Sequence, residues 1–288
     1  MSAISAAAVN ELRKRTDLPL MECKKALSET GGDLDKAVEL LRTWNAKAAV
    51  KREGNEVAEG RVGIYVEPAA ETAAIAELRC ESAPSTKSDQ FIELTYDIAR
   101  QVASAAPETV EQLLAQSYSN GKGTVKDRID EVVGLIREKM IVHRFERVKA
   151  PVFGSYVHHD GTVGTLIACT GKPTGPTDEV LKDICAHVSA LNPLYQSPVQ
   201  VPAEVIAKEK AFILQQIKDD PKNAGKPANI MDKIADGKLK TWMAETVMTE
   251  QPMANTGKYP NTTVGQVLTK LGLTPVRVIR YKVGAMSV

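Results

Sequence analysis

Asp97-Ile98-Ala99-Arg100-Gln101-Val102, followed by Pro107, and Asp183-Ile184-Cys185-Ala186-His187-Val188, followed by Pro193, can be laid over each other so that Asp, Ile, Val and Pro coincide. Each stretch ends a helix that follows two alternating segments. Before the first lie Val62 to Glu67 and Thr72 to Cys80, separated by Pro68-Ala69-Ala70. Before the second lie Val152 to Val157 and Thr162 to Cys169, joined by His158-His159-Asp160-Gly161. Alternation of period two between turn residues reads as hairpins. Phe91, Leu94, Ile98 and Val102 recur at helical spacing along Ser85 to Ala105, and Thr177 is placed to cap the second helix, which runs to Leu191. The pattern predicts a duplicated β-β-α unit in an α+β chain. Its two small antiparallel sheets are each covered by helix, since neither half buries its apolar face alone. The competing reading is a chance overlap, because helix positions draw on a small alphabet.

Working outward, residues 4 to 15, Leu20 to Thr30 and a segment capped by Asp33 read as three short helices. Gly31-Gly32 stops the second, and Leu34, Ala37, Val38, Leu41 and Trp44 form one buried face of the third. Residues 46 to 60, rich in Ala, Lys, Gly and Glu, read as a linker. Helices are expected near Glu108 to Ser117 and Thr124 to Met140. A helical hairpin, Ala203 to Asp219 and Pro227 to Val247, turns at Asp220-Pro221-Lys222-Asn223-Ala224-Gly225. Its charged face, with Glu204, Lys208, Glu209, Lys210 and Lys218, is either solvated or part of a dimerisation arm. A helix from Thr262 to Leu271 and a strand from Thr274 to Val283, returning to an earlier sheet, close the chain. The expected division is 1–54 for the N-terminal domain and linker, 55–140 and 141–288 for two core subdomains, and an arm inserted at about 194–247.

Composition narrows the function. With 37 Lys and Arg against 36 Asp and Glu, the 288-residue chain has no bulk basic field for nucleic acid, and a protein partner is favoured. Cys23, Cys80, Cys169 and Cys185 form no CxxC pair, which argues against structural zinc and a disulfide framework and fits a reducing cytoplasm. Met1 to Val9 lacks the basic leading region of a signal peptide, and no apolar run approaches the ~20 residues of a membrane helix. Gly121-Lys122-Gly123-Thr124 lacks the upstream glycine of a phosphate loop and reads as a turn. His158, His159 and Asp160 have the residue types of a metal site, but three consecutive residues cannot all face one ion from a regular strand, and at the hairpin tip where they sit no further His partner is near. A solvated turn or a protruding partner contact are the other readings. His143 and His187 read as ordinary packing or surface histidines. No cofactor and no catalytic group are expected.

Two features suit a protein contact. Leu20-Met21, at a Pro-broken helix start beside Glu22, Lys24 and Lys25, is either core or an exposed adhesive pair, and methionine adapts well to a partner surface. Ser82-Ala83-Pro84-Ser85 is a loop between a strand and a capped helix.

Leu12-Arg13-Lys14-Arg15-Thr16, Met21-Glu22-Cys23-Lys24-Lys25-Ala26-Leu27, Gly32-Asp33 and Ala37-Val38-Glu39 together closely resemble the N-terminal signature of the elongation factor Ts family. Gly154-Ser155-Tyr156-Val157-His158 with Gly161 and Gly164 is similar to the family's second hairpin. Gln251-Pro252 and Thr263-Val264-Gly265-Gln266-Val267-Leu268 are similar to its C-terminal part. The resemblance implies a ubiquitin-associated-like domain, a two-part core with a helical arm, and a guanine-nucleotide exchange factor that binds GDP-bound elongation factor Tu. It places Arg13, Leu20, Met21 and Lys24 against the GTPase domain, His158 in an apolar crevice of the partner, and Met253 and Ala254 on a loop approaching the GTPase. Two departures stand out. The family's Thr-Asp-Phe-Val is here Ser82-Ala83-Pro84-Ser85, so the carboxylate and ring that intrude beside Mg²⁺ are absent and a steric wedge remains. The chain also stops at Val288, where some members carry another helix. The alternatives to an exchange factor are a relative that binds without accelerating release, and an enzyme using His158, His159 and Asp160.

Overall fold

The computed structural model of the 288-residue chain describes residues 4–16, 18–223 and 226–284. The elements fall into two compact units. One comprises Met1–Val148, Val157–Gly164 and Tyr281–Val288, and the other Lys149–Tyr156 and Thr165–Arg280.

The first unit opens with α1 (Ala6–Thr16), α2 (Leu20–Glu29) and α3 (Leu34–Lys51). Val9, Leu12, Leu18, Cys23, Ala26, Leu27, Ala37 and Leu41 form their core, joined by Leu135 from further along the chain. Asp33 caps α3 as expected: its Oδ1 accepts the N–H of Asp35 and of Lys36, both at 3.1 Å. The linker expected from residue 46 is still helix as far as Lys51. Ala and Lys are strong helix formers, and no breaker intervenes before Gly54, so backbone propensity carries the helix through a stretch of low apolar content.

β1 (Glu59–Glu67) and β2 (Thr72–Cys80) pair antiparallel, with Val62 opposite Glu77. α4 (Asp89–Ala105) covers one face, burying Phe91, Leu94, Ile98 and Val102 against Ala74, Ala76, Leu78 and Cys80. Its cap is Ser88, whose Oγ accepts the Phe91 N–H at 3.3 Å; Ser85–Lys87 is a separate 3-10 turn. α5 (Val110–Ala115), α6 (Val125–Ile136) and β3 (Met140–Lys149) follow, and the sheet order is β1-β2-β3.

The helix expected to run to Met140 therefore ends early. Arg137 turns left-handed (φ 65) and donates its N–H to Val133 O at 2.8 Å, which frees Met140 onward to pair as a strand. Arg137, Glu138 and Lys139 are all compatible with helix by propensity, and only the tertiary pairing shows the stop. Where α3 crosses α6, a Cβ on Gly134 would sit 2.4 Å from Asn45 Cγ, so the two helices meet backbone to side chain.

The second sheet has the order β4-β5-β6, from β4 (Val152–Val157), β5 (Val163–Gly171) and β6 (Leu273–Lys282). α7 (Asp178–Leu191) and α10 (Val264–Lys270) pack with it around Ile167, Leu181, Ile184, Val188, Met248 and Leu268. Thr177 makes no capping bond, because its αR backbone (φ −105, ψ −30) lacks the extended geometry a cap requires. The returning strand lies beside β5. α8 (Ala203–Asp219) and α9 (Ala228–Thr246) pack together as a helical hairpin, with a small core of Ile213, Ile217 and Ala235. At its base Leu194 N donates to Thr246 O at 2.9 Å and Met248 N to Tyr195 O at 2.8 Å. Ala224 and Gly225 of the expected turn lie outside the described residues.

Both sheets are thus built from a hairpin, a covering helix and a later capped helix, with the third strand beside the hairpin's second. Sheets formed from hairpins and segregated from their helices make this an α+β fold.

Candidate functional site

α2 starts without a side-chain cap, since Pro19 precedes it. Its first turn is free to present side chains outward: Leu20 is 43% and Met21 69% exposed, while Cys23, Ala26 and Leu27 face the core. Leu20 and Met21 are therefore surface residues and do not belong to the core. Lys24 lies one turn beyond Leu20 on the same face, and Arg13 is exposed near the end of α1. An ion pair from Glu22 to Arg137 ties this turn to the end of α6.

The loop after β2 is firmly held. Ser82 donates its N–H to Glu138 Oε2 at 3.0 Å and its hydroxyl to Glu138 Oε1 at 2.5 Å. Thr86 Oγ1 donates to Ala83 O at 2.8 Å and Ser88 Oγ to Ser85 O at 2.9 Å. Ser85 and Thr86 are buried, leaving Ala83 and Pro84 as the exposed crest. Its neighbour Glu81 accepts the Lys139 N–H at 2.5 Å and the Asn55 amide at 2.9 Å, and these bonds, the backbone one foremost, hold its carboxyl below the usual range. The carboxylates at the loop's base are therefore engaged and the crest is apolar.

At the β4-β5 hairpin tip, His158 is half-buried and His159 exposed, with ring centroids 4.3 Å apart. Gly161 (φ +78) closes the turn, donating its N–H to His158 O at 2.8 Å. Asp160 Oδ1 accepts the N–H and the hydroxyl of Thr162, each at 2.9 Å, and these bonds, the backbone one first, keep its carboxyl below the ordinary range. That carboxylate is turned to its own loop. Among the described residues no cluster of three or more His, Cys, Asp or Glu is arranged to hold a metal ion.

Tip and loop are brought together by a residue the sequence did not single out. Arg61 Nη1 donates to Thr86 O and to Asp160 O, both at 3.3 Å, and Val62 N donates to Gly161 O at 2.8 Å. The acceptors are backbone oxygens 25 and 99 residues away, so no local signal marks Arg61.

In the second unit Met253 is 1% exposed and belongs to the core, whereas Ala254 beside it is exposed. His187, 2% exposed, positions that loop: its Nδ1 accepts the Ala254 N–H at 3.1 Å, so the proton sits on Nε2, which donates to Gln251 Oε1 at 2.9 Å. Burial pushes the pKa of this imidazole down. In the first unit Gln101, four residues after Asp97, accepts the Ser119 N–H at 3.0 Å in the same manner. Val125 N to Gln116 O and Val264 N to Gln251 O, both 3.0 Å, close the two loops alike. Thr124 and Thr263 each begin a capping box. Tyr118 donates its phenol to Asp97, and Tyr259 its own to Asp183 Oδ2 at 2.8 Å.

Gly121-Lys122-Gly123-Thr124 has the geometry of a turn. Asp127 Oδ2 accepts the Thr124 N–H at 2.7 Å, placing a carboxylate where a phosphate loop needs an anion's place open. All four cysteines are free and buried, and burial pushes the Cys80 and Cys169 thiols up to about 12. Among the described residues no helix is long and apolar enough to cross a membrane.

A three-helix bundle and two small three-stranded sheets with their helices define an α+β protein, one that exposes the Leu20-Met21 pair and the Ala83-Pro84 crest. A family model described as Elongation factor TS matches residues 85–285. The chain is 39% identical over 284 residues to an Elongation factor Ts of Methylococcus capsulatus, covering 98% of this chain and 92% of that protein. The chain belongs to the elongation factor Ts family, whose members are translation elongation factors.

Proposed function

We propose that this protein is a non-catalytic guanine-nucleotide exchange factor that binds GDP-bound elongation factor Tu and promotes GDP release by disturbing the Mg²⁺ and nucleotide site. The observation that carries the reading is the joining of the His158 tip to the Ser82–Ser85 loop in a unit that also exposes Leu20 and Met21. Arg13, Leu20, Met21 and Lys24 grip the GTPase domain, His158 enters an apolar crevice, and Ala254 touches the partner from a loop that Met253 supports from below. Ala83 and Pro84 act as a wedge by shape, because they offer neither carboxylate nor ring. Linkage makes the effect reciprocal: the factor lowers GDP affinity by as much as GDP lowers affinity for the factor.

The same reading takes residues 1–54 as a ubiquitin-associated-like domain, 55–140 and 141–288 as core halves descended from one duplicated unit, and about 194–247 as an arm. What supports duplication is the matched bonding of Gln101 and His187, and of Asp97 and Asp183. Exposed Phe212 and Ile230 suit an arm that pairs with a second copy. The near-neutral charge balance suits a protein partner in the cytoplasm, with no direct nucleic acid contact.

Purified protein is expected to accelerate release of a fluorescent GDP from the cognate elongation factor Tu. The altered crest favours one second reading, a relative that binds without exchanging, and complex formation with unchanged GDP release would select it.

A further inference from the structure

A wedge that lacks a charged group transmits force through stiffness alone, so what backs the Ala83-Pro84 crest decides what it can do. Arg61, on edge strand β1, is that backing. One nitrogen of its guanidinium serves both Thr86 O and Asp160 O, and Thr86 in turn holds Ala83 through its hydroxyl at 2.8 Å. From the tip, Gly161 N donates to His158 O at 2.8 Å. The guanidinium also fills the space above Gly161, where a Cβ would lie 2.4 Å from Arg61 Cζ. Glycine there meets two demands at once, the positive φ and the room for the arginine. A short run of hydrogen bonds therefore links His158 to the crest, and a rigid planar fork makes the central joint.

We infer that Arg61 is a positioning residue that locks the His158 tip to the Ser82–Ser85 loop, so that seating of the tip in the partner sets how far the crest advances on the nucleotide site. The inference rests on the exchange reading and adds a coupling between its two contacts.

The test uses the full chain carrying Arg61→Met, Arg61→Lys or Gly161→Ala, with fluorescent GDP release measured at saturating factor and complex affinity measured separately. Loss of charge-assisted bonds is expected to lower the saturating release rate by about tenfold in Arg61→Met and to change complex Kd by less than about threefold. Arg61→Lys, which keeps the charge on a shorter side chain without the planar group, is expected to be intermediate, and Gly161→Ala, which displaces the guanidinium from the other side, to resemble Arg61→Met. In the wild-type background His158→Ala and Pro84→Gly are expected to be non-additive in saturating rate, and additive once Arg61 is Met. A purely structural role would lower thermal stability without altering that additivity. A wild-type saturating rate in both Arg61→Met and Gly161→Ala, or unchanged coupling, overturns the inference. Wild-type protein that binds and leaves GDP release unchanged overturns the exchange reading beneath it instead.

Discussion

His187 Nδ1 accepts the backbone N–H of Ala254 at 3.1 Å, and this bond exists only while the imidazole is neutral. Burial lowers its folded pKa, so the unfolded chain takes up a proton first as pH falls. The stability this group contributes is full above the unfolded value near 6.5 and is lost as pH falls below it, at no more than about 1.4 kcal/mol per pH unit. Urea unfolding between pH 7.5 and 5.5 is expected to show this loss. His187→Gln keeps an acceptor for Ala254, as Gln101 does for Ser119, and is expected to flatten the dependence.

Glu77 is fully buried, with Arg79 Nε on one oxygen and Arg144 Nε on the other, both at 2.7 Å. Arg144 also stacks 4.2 Å from the Tyr281 ring. Removing the carboxylate leaves two partly buried cations facing each other. Glu77→Ala is expected to cost about 3–5 kcal/mol in chemical denaturation.

Gly134 and Asn45 set how closely α3 approaches α6. Gly134→Ala is expected to cost about 1–3 kcal/mol, and Asn45→Ala in the same chain to recover part of it by making room for the new methyl. Additive losses in a double-mutant cycle on thermal unfolding would count against direct opposition of the two residues.

Met21 and Met253 separate binding from stability. Met21→Ala, at an exposed position, is expected to weaken the complex with elongation factor Tu by about 1–2 kcal/mol and to leave stability within about 0.5 kcal/mol. Met253→Ala, in the core, is expected to cost about 2–5 kcal/mol of stability. His158→Ala should follow the Met21 pattern, read by titration calorimetry beside thermal melts.

The paired hairpins, the helix faces and the Asp97–Asp183 correspondence are legible in sequence because each is written in local periodicity or turn chemistry. β3 is not, because Glu138 and Lys139 suit a helix and only pairing with β2 declares the strand. The continuation of α3 to Lys51 follows backbone propensity, which the low apolar content of that stretch does not display. At the candidate site, Leu20, Met21 and the two loops can be found as segments. Their exposure, the burial of Met253 and the bridging by Arg61 arise from contacts between residues far apart in the chain, and no spacing rule encodes them.

The bonds from Leu194 to Thr246 and from Met248 to Tyr195 have a consequence for how such a chain can change. The arm leaves and re-enters the second unit at one point, where its two stalks are already fastened to each other. Whatever lies beyond that fastening is a cassette. A hairpin of different length or sequence grafted beyond that point meets the same two backbone bonds at its base.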